Sequence, residues 1–526
     1  MGVCIHIGEM LARNARMYPD EVALVERSPS EGMRKEITWR AFDELANRFA
    51  NALMKLGVVK GDKVVHLMMN SIDWLVAYFG IIRTGAWVVP LNYRFTSEDI
   101  KYCIDVAEPK VVVFGPEFIE RLEAIRDRCP TVSHYVYVGK GERPTWALDF
   151  WRLVEDAPSK EPSVEIAYED PCGLYFTSGT TGRPKPILLT HRNMVCAAIT
   201  ENVHHRQTHR DNFLLIPPLY HTGAKMHWFG NFIVGARAVI LRGVSPEWIF
   251  EAVSEEGVTV VFLLVPWAND ILMKLDSGEL KLDRYRLHQW RLMHMGAQPI
   301  PPSLVRHWKE YFPNMAYDTN YGLSEATGPG CVHLGMENEH KVGAIGLPGF
   351  NWEVRIVNEA GEPVKQGEVG ELIVRGDGVM KEYYKNPEAT REVLRDGWLY
   401  TGDMARQDEE GFIWLVDRKK DIIICGGENV FPVEVESFLH THPKIKDVAA
   451  IGYPDERLGE VVAVVIELKP GETMTEEEVF KFCESLPKYK RPRKVFFGQV
   501  PRNPTGKIEK PKLRKQYIGI EEAFKI

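Results

Sequence analysis

The chain is 526 residues long, room for roughly three to four domains, which excludes a small scaffold dependent on disulfide or metal staples. Lys plus Arg number 65 against 73 Asp plus Glu, a formal charge of −8, so no net positive field argues for nucleic acid or an anionic membrane as partner. With 45% hydrophobic and 26% charged residues, the composition is that of a soluble globular protein and excludes wholesale disorder.

In chain order, MGVCIHIGEM lacks a basic n-region and a long apolar h-region, so no secretory leader is expected. Gly2 invites a myristoylation reading, but His6 stands where Ser or Thr is wanted. Between Thr38 and Gly57, Phe42, Leu45, Ala46, Phe49, Ala50, Leu53 and Met54 follow i, i+3, i+4 spacing and predict an amphipathic helix closed by the glycine. WLVAYFGII at 74–82 ends at Arg83 and is too short to span a bilayer. Thr96 with Asp99 predicts a capping box, and the β-branched runs at 111–114, 237–241 and 258–265 predict buried strands. Such strands alternating with helices favour a largely parallel sheet covered on both faces. After about residue 350, WEVRIV, GELIVR and FIWLV, separated by turn residues, predict a small antiparallel β subdomain. Beyond Lys420 follow DIIIC, a helix with Pro432 near its start, DVAAIG, VVAVVIEL and a helix capped by Thr475 with Glu478. The expected fold is therefore α/β. Residues 1–419 form a large N-terminal domain of several subdomains, sheets flanked by helices plus the small β unit. Residues 420–526 form a small α+β C-terminal domain. The eight cysteines form no C-x-x-C pair, which argues against a zinc ribbon and for a reducing compartment, with the cytoplasm as the expected location.

YFTSGTTGRPKP at 175–186 follows a strand-like CGLYF. Thr177, Ser178, Thr180 and Thr181 offer hydroxyls, Gly179 and Gly182 let the backbone curl its N–H groups inward, and Lys185 adds a cation, a combination suited to polyphosphate. The spacing is not that of a Walker A loop. The segment resembles the phosphate loop of the adenylate-forming superfamily of acyl-CoA synthetases, peptide-synthetase adenylation domains and firefly-type luciferases, except that Pro186 stands where relatives usually have Gly. Six further stretches match in order: PPLYHTG (217–223), MGAQPIPP (295–302), YDTNYGLSEATGPG (317–330), GWLYTGD (397–403), DRKKDIIICGGENVFPVEVE (417–436) and PRNPTGKIEK (501–510). The resemblance thus spans nearly the whole chain.

The resemblance implies a role for each motif. Glu325 is the magnesium-binding acid, and Ser324, where many relatives carry Thr, keeps a hydroxyl for phosphate. Tyr321 stacks on adenine, with Gln298 and Asn320 in the matching stretches, while Asp403 and Arg418 hold the ribose. Lys507 is the catalytic lysine of the adenylation state, and His221 is the gate between the acyl pocket and the thiol entrance. The C-terminal domain swings about a hinge at Lys420, bringing Gly426, Gly427 and Glu428 toward CoA. Trp228, Val265, Trp267, Gly322 and Leu323 are expected around the acyl pocket beside His221. Lys225 and His227, unexpected near an apolar pocket, receive no role.

The reaction implied is ATP-dependent ligation of a small-molecule carboxylic acid to CoA with Mg²⁺, through an acyl-adenylate. A stand-alone enzyme loading an amino or aryl acid onto a carrier is the second reading. Thr222 replaces the Asp that amino-acid adenylation enzymes usually place after the gate, so an α-ammonium would be left unpaired. A luciferase-like oxygenase is the third. Acetate-selective relatives carry Trp at the position of Gly322, so the acid is expected to be larger than acetate: aromatic, alicyclic, branched or medium-chain. No nucleic acid and no membrane span are expected, and oligomeric state is not readable.

Overall fold

The computed structural model describes residues 5–177, 184–297, 300–418, 421–426, 428–503 and 507–519. Alternation of strands and helices resolves into two largely parallel sheets where the sequence pattern suggested one. The first runs Leu347–Pro348, Gly328–His333, Ala316–Leu323, Leu292–Gly296, Val260–Leu264, Asn212–Leu215, Arg237–Leu241, Val22–Ser28, Met33–Thr38. The second runs Glu382–Tyr383, Lys185–Thr190, Pro171–Thr177, Trp87–Pro90, Lys63–Leu67, Val111–Phe114, His134–Tyr137, Leu148–Asp149. Val22–Ser28 pairs antiparallel with the next strand, Met33–Thr38, and on its other side in parallel with Arg237–Leu241, more than two hundred residues away. A local pattern cannot reveal that choice, because a buried β-branched strand looks the same in either sheet.

The predicted helix is Trp39–Lys55, with Thr38 as its N-cap, and it is followed by Gly57 at φ 85°. Thr96 and Asp99 form the capping box expected of them, as do Thr475 and Glu478. The run 74–82 lies in Ile72–Arg83, a helix buried along its whole length, which explains its uniform apolarity without a bilayer. Among the described residues no helix is long and apolar enough to cross a membrane. The strand read at 258–265 stops at Leu264, because Pro266 starts the helix Val265–Asp276.

Trp352–Val357, Gly370–Gly376, Leu394–Arg395, Trp398–Gln407 and Ile413–Arg418 make a five-stranded antiparallel sheet. A fourth sheet joins Glu428–Val430, Ile423–Cys425, Gly459–Leu468, Ile445–Asp455 and Lys494–Phe497. Its two apolar clusters draw only on residues 423–518, and the other clusters end by residue 415.

Candidate active site

The phosphate-loop motif sits at a hairpin. Pro171–Thr177 and Lys185–Thr190 pair antiparallel, with Thr177 opposite Lys185 as the last pair. Ser178, Gly179, Thr180, Thr181 and Gly182 lie outside the described residues. Beyond the hairpin, Thr190 caps the helix His191–His205 in a box with Asn193. Pro186 pairs with Phe176 at the start of its strand, and its carbonyl accepts from the Tyr384 N–H at 2.8 Å. Glu382–Tyr383 then lies along the outer side of this strand. That pairing places the Tyr383 ring 5.2 Å from Lys185 Nζ, while the Tyr383 hydroxyl donates to Glu325 Oε1 at 2.7 Å. Burial and the neighbouring Glu325 carboxylate raise the Tyr383 phenol, which keeps it a donor. The acid expected to bind magnesium is thus linked through one tyrosine to the lysine of the phosphate hairpin.

The adenine and ribose motifs meet as well. Tyr321, on Ala316–Leu323, donates to Asp403 Oδ2 at 2.6 Å. Asp403 sits directly opposite Arg418 in the pairing of Trp398–Gln407 with Ile413–Arg418. Its N–H bonds to Thr401 Oγ1, with Gly402 at φ 73° forming the bend. Gln298 lies outside the described residues. Ala297, just before it, is held at φ 72°, a conformation costly for a residue with a Cβ and common at functional sites.

His221 caps the helix Thr222–Phe232, its Nδ1 accepting from the Gly223 N–H at 3.2 Å, so a neutral ring carries its proton on Nε2. Burial, then the charges of Lys507 and Lys225, lower its pKa to about 3. Thr222 Oγ1 donates to Ser324 Oγ at 3.1 Å, which ties the gate helix to the residue before Glu325. Lys507 is tied to Asn503, whose Oδ1 accepts from the Lys507 N–H and whose N–H donates to the Lys507 carbonyl. The Lys507 charge is among those that lower the His221 pKa.

Comparison with known proteins identifies the family. The AMP-binding enzyme family matches residues 11–384, and the AMP-binding enzyme C-terminal domain matches residues 434–507. The chain belongs to the AMP-binding enzyme family. It is 32% identical over 517 residues to a long-chain-fatty-acid–CoA ligase of Mycobacterium tuberculosis, covering 97% of this chain and 98% of that one. It is also 32% identical to a feruloyl-CoA synthase of Amycolatopsis, covering 97% and 99%. The crystal structure of the anthranilate CoA ligase AuaEII in complex with anthranoyl-AMP superposes with a TM-score of 0.89 at 27% identity, covering 98% of both chains.

Other site expectations for this AMP-binding enzyme fare differently. Gly322 does not offer side-chain space to an acyl pocket. A Cβ built on it would stand 2.0 Å from the Gly328 carbonyl oxygen and 2.6 Å from Pro329 Cα. The register shift between Tyr321 and Leu323 brings the two backbones together there, so the glycine serves close strand approach. Trp228 packs in the apolar core with Phe229 and Phe232, and Val265 belongs to the second core. Trp267 lines a small notch with Val244, Pro246, Ile249 and Asp270. Leu323 packs partly buried beside Tyr321 and Trp352. Gly426, at φ 61°, begins the turn that joins Cys425 to Glu428, and Glu428 is exposed. Gly427 and the hinge candidate Lys420 lie outside the described residues. Beside the hinge, Asp417 accepts from the Val433 N–H and Asp421 from Arg514.

Sequence reasoning left two side chains of the gate helix without a role. Lys225 is fully buried, with Nζ 4.5 Å from the Tyr175 ring, 5.0 Å from Tyr78 and 5.8 Å from Trp74. Burial lowers its pKa to about 7, and its oxygen partner is the Leu219 carbonyl at 3.5 Å. His227 turns the other way, onto Phe262 and His294. Their signal in the sequence was polarity inside an otherwise apolar helix, which marks burial with a partner but not the partner's identity.

Two measurements test this geometry. Gly322→Ala should destabilise the protein by about 1–3 kcal/mol in denaturant unfolding, because backbone and not a flexible side chain stands in the way. An alanine variant as stable as the parent would show that the strand pairing opens freely. For Lys225, the folded pKa near 7 lies below the ordinary lysine value. The buried cation therefore destabilises the fold fully below that folded pKa, and the penalty fades as pH rises toward about 10. Lys225→Met should accordingly raise Tm most near pH 7 and below, with the gain shrinking under alkaline conditions. A gain independent of pH would contradict the depressed pKa.

Proposed function

We propose that the chain is an ATP-dependent acyl-CoA ligase acting on a carboxylic acid larger than acetate. The observation that carries this reading is the convergence of three arrangements around Ala316–Leu323 and the gate helix. Glu325 joins the phosphate hairpin through Tyr383, Tyr321 holds Asp403, and Thr222 of the gate helix donates to Ser324. In the first half-reaction a carboxylate oxygen attacks the α-phosphorus of ATP, and the bond to the pyrophosphate oxygen breaks, giving acyl-adenylate. In the second, the CoA thiol sulfur attacks the acyl carbonyl carbon, loses its proton to solvent, and AMP leaves.

Each group supports a part of this. The hairpin and Lys185 receive the polyphosphate, Tyr321 packs on adenine, and Asp403 with Arg418 accepts and orients the ribose. Glu325 fits Mg²⁺, since it supplies a hard carboxylate oxygen beside the phosphate hairpin. Bound there, the ion would neutralise phosphate charge. Lys507 draws carboxylate and α-phosphate together, offsetting negative charge that develops in the transition state. His221, neutral at physiological pH, screens the acyl carbonyl from solvent without adding charge. Residues 1–419 and 420–526 act as separate domains that rearrange between half-reactions about Lys420, a division favoured by their unshared apolar cores. The two curated relatives described above are named for a long-chain fatty acid and for feruloyl-CoA, which supports an acid above acetate in size. Buried free cysteines at Cys103, Cys129, Cys172, Cys196, Cys331, Cys425 and Cys483 suit the cytoplasm.

Pyrophosphate exchange over a panel running from acetate to aryl and medium-chain acids tests the reading. Exchange should depend on Mg²⁺ and favour acids larger than acetate; no exchange with any acid would overturn it. Lys507→Ala should slow adenylation by roughly a hundredfold or more while sparing thioester formation from synthetic acyl-adenylate. Equal loss in both half-reactions would remove Lys507 from a role confined to adenylation.

A further inference from the structure

Behind Asn320, six side chains from five elements meet with almost no exposure to water. Glu201 and His205 come from the helix His191–His205, His227 from the gate helix, His294 from Leu292–Gly296, Asp318 from Ala316–Leu323 and His333 from Gly328–His333. None is more than 3% exposed. Gly330 makes room for them, since a Cβ there would lie 3.0 Å from Glu201 Oε1 and 3.1 Å from His333 Nε2.

Hydrogen bonds account for only part of this cluster. His333 reaches Asp318 Oδ2 through Nδ1 and Glu201 Oε1 through Nε2, both at 3.1 Å. His227 Nδ1 donates to the Gly223 carbonyl at 2.6 Å, so its neutral Nε2 is an acceptor. That Nε2 receives Asn320 Nδ2 at 3.1 Å and stands 3.0 Å from His294 Nε2. His294 must therefore donate from Nε2, which leaves its Nδ1 as a bare lone pair with no donor. His205 Nε2 lies 3.1 Å from Asp318 Oδ2 and Nδ1 3.3 Å from Glu201 Oε2, yet neither nitrogen is aligned for a hydrogen bond. Glu201 Oε2 also has no donor. Burying such groups unmatched is costly, and native interiors avoid it.

A cation resolves these orphans together. Ligand atoms of His205, His294 and Asp318 all lie within 4.8 Å of one another, so small side-chain shifts bring them within the roughly 4.4 Å or less that separates donors around one ion at bond lengths of about 2.0–2.2 Å. Imidazole with carboxylate is the donor set of zinc and its neighbours in the first transition row, and not of magnesium. Two carboxylates also bring more negative charge than a single doubly bonded His333 returns. We propose that His205, His294 and Asp318, with Glu201 beside them, bind one divalent transition-metal ion of the zinc class. This site is structural and separate from the Glu325 carboxylate. It cross-links the helix leaving the phosphate hairpin to the strand that carries Tyr321.

The test is metal content and stability of the full-length protein. After chelator stripping, addition of Zn²⁺ and desalting, the protein should retain about one zinc per chain and gain several degrees in Tm. Co²⁺ in its place should give visible d–d bands of a protein-bound, low-coordinate ion. His294→Gln should lower zinc affinity by roughly tenfold or more, whereas Glu325→Gln should retain the metal. Should His294→Gln fail to fold, the cobalt spectrum and zinc content of the parent still decide. No retained zinc and no Tm response in the parent would mean that protons alone hold the cluster, overturning the proposal. Equal zinc content in parent and His294→Gln, or loss in Glu325→Gln alone, would place the ion elsewhere and overturn it too.

Discussion

Glu201 and Asp318 are carboxylates in an interior that water does not reach, and the way they are compensated determines how the elements around the site meet. Removing such a charge from water costs several kcal/mol even after relaxation. Burial pushes both pKa values up, but the surrounding imidazoles and donors more than reverse it and hold both carboxyls below their usual range. Asp318 Oδ1 takes the N–H groups of Thr319 and Gly335, each at 2.8 Å, and Oδ2 takes His333. Glu201 takes Asn320 and the other nitrogen of His333. Burial disfavours charge on His333, yet the two carboxylates outweigh it and raise its pKa to about 9. One imidazolium thereby fixes a helix against two antiparallel strands. The strand so fixed carries Tyr321, and Ser324 and Glu325 follow at its end.

The nucleotide side is built from the opposite direction. The segment 380–383, at the edge of the second sheet, and the antiparallel subdomain both make polar contacts to the same strand end. Met380 donates its N–H to the Glu325 carbonyl at 2.7 Å, and Tyr383 holds the Glu325 side chain. Tyr321 reaches Asp403 across the junction between the first sheet and the subdomain. The first sheet, the edge of the second and the antiparallel subdomain are thus registered by short contacts at residues 321–325. A site assembled in this way loses alignment if any layer shifts, which is the requirement for in-line attack at phosphorus.

Much of this was legible in the sequence where the physics is local. Capping boxes, the Thr38-to-Gly57 helix, the subdomain strands and the order of motifs depend on spacing over a few residues, and the structure follows them. Partition of strands between two sheets was not legible, because it depends on pairings more than a hundred residues apart. The motif residues were found in the sequence, but their mutual contacts were not. Tyr383 bears no motif signature and emerges only when its strand pairs beside Lys185. The reason for Gly322 is hidden in the same way. A glycine in a motif signals that something lies close, and here the neighbour is the Gly328 backbone, which leaves no room for a side chain. Substrate size therefore rests on the relatives and not on this position.

The gate ties the two domains together electrostatically. His221 is neutral chiefly because it is buried, and the cations Lys507 and Lys225 approach it from different parts of the fold. Lys225 is fixed within the large domain against Tyr78 and Tyr175, so its contribution is constant. Lys507 belongs to the C-terminal region, so in the proposed swing its contribution is removed. The imidazole then becomes easier to protonate as the thiol is admitted, although burial still opposes the charge. In that proposed swing, proton affinity at the gate follows the position of the C-terminal domain, with no change required in the gate helix itself.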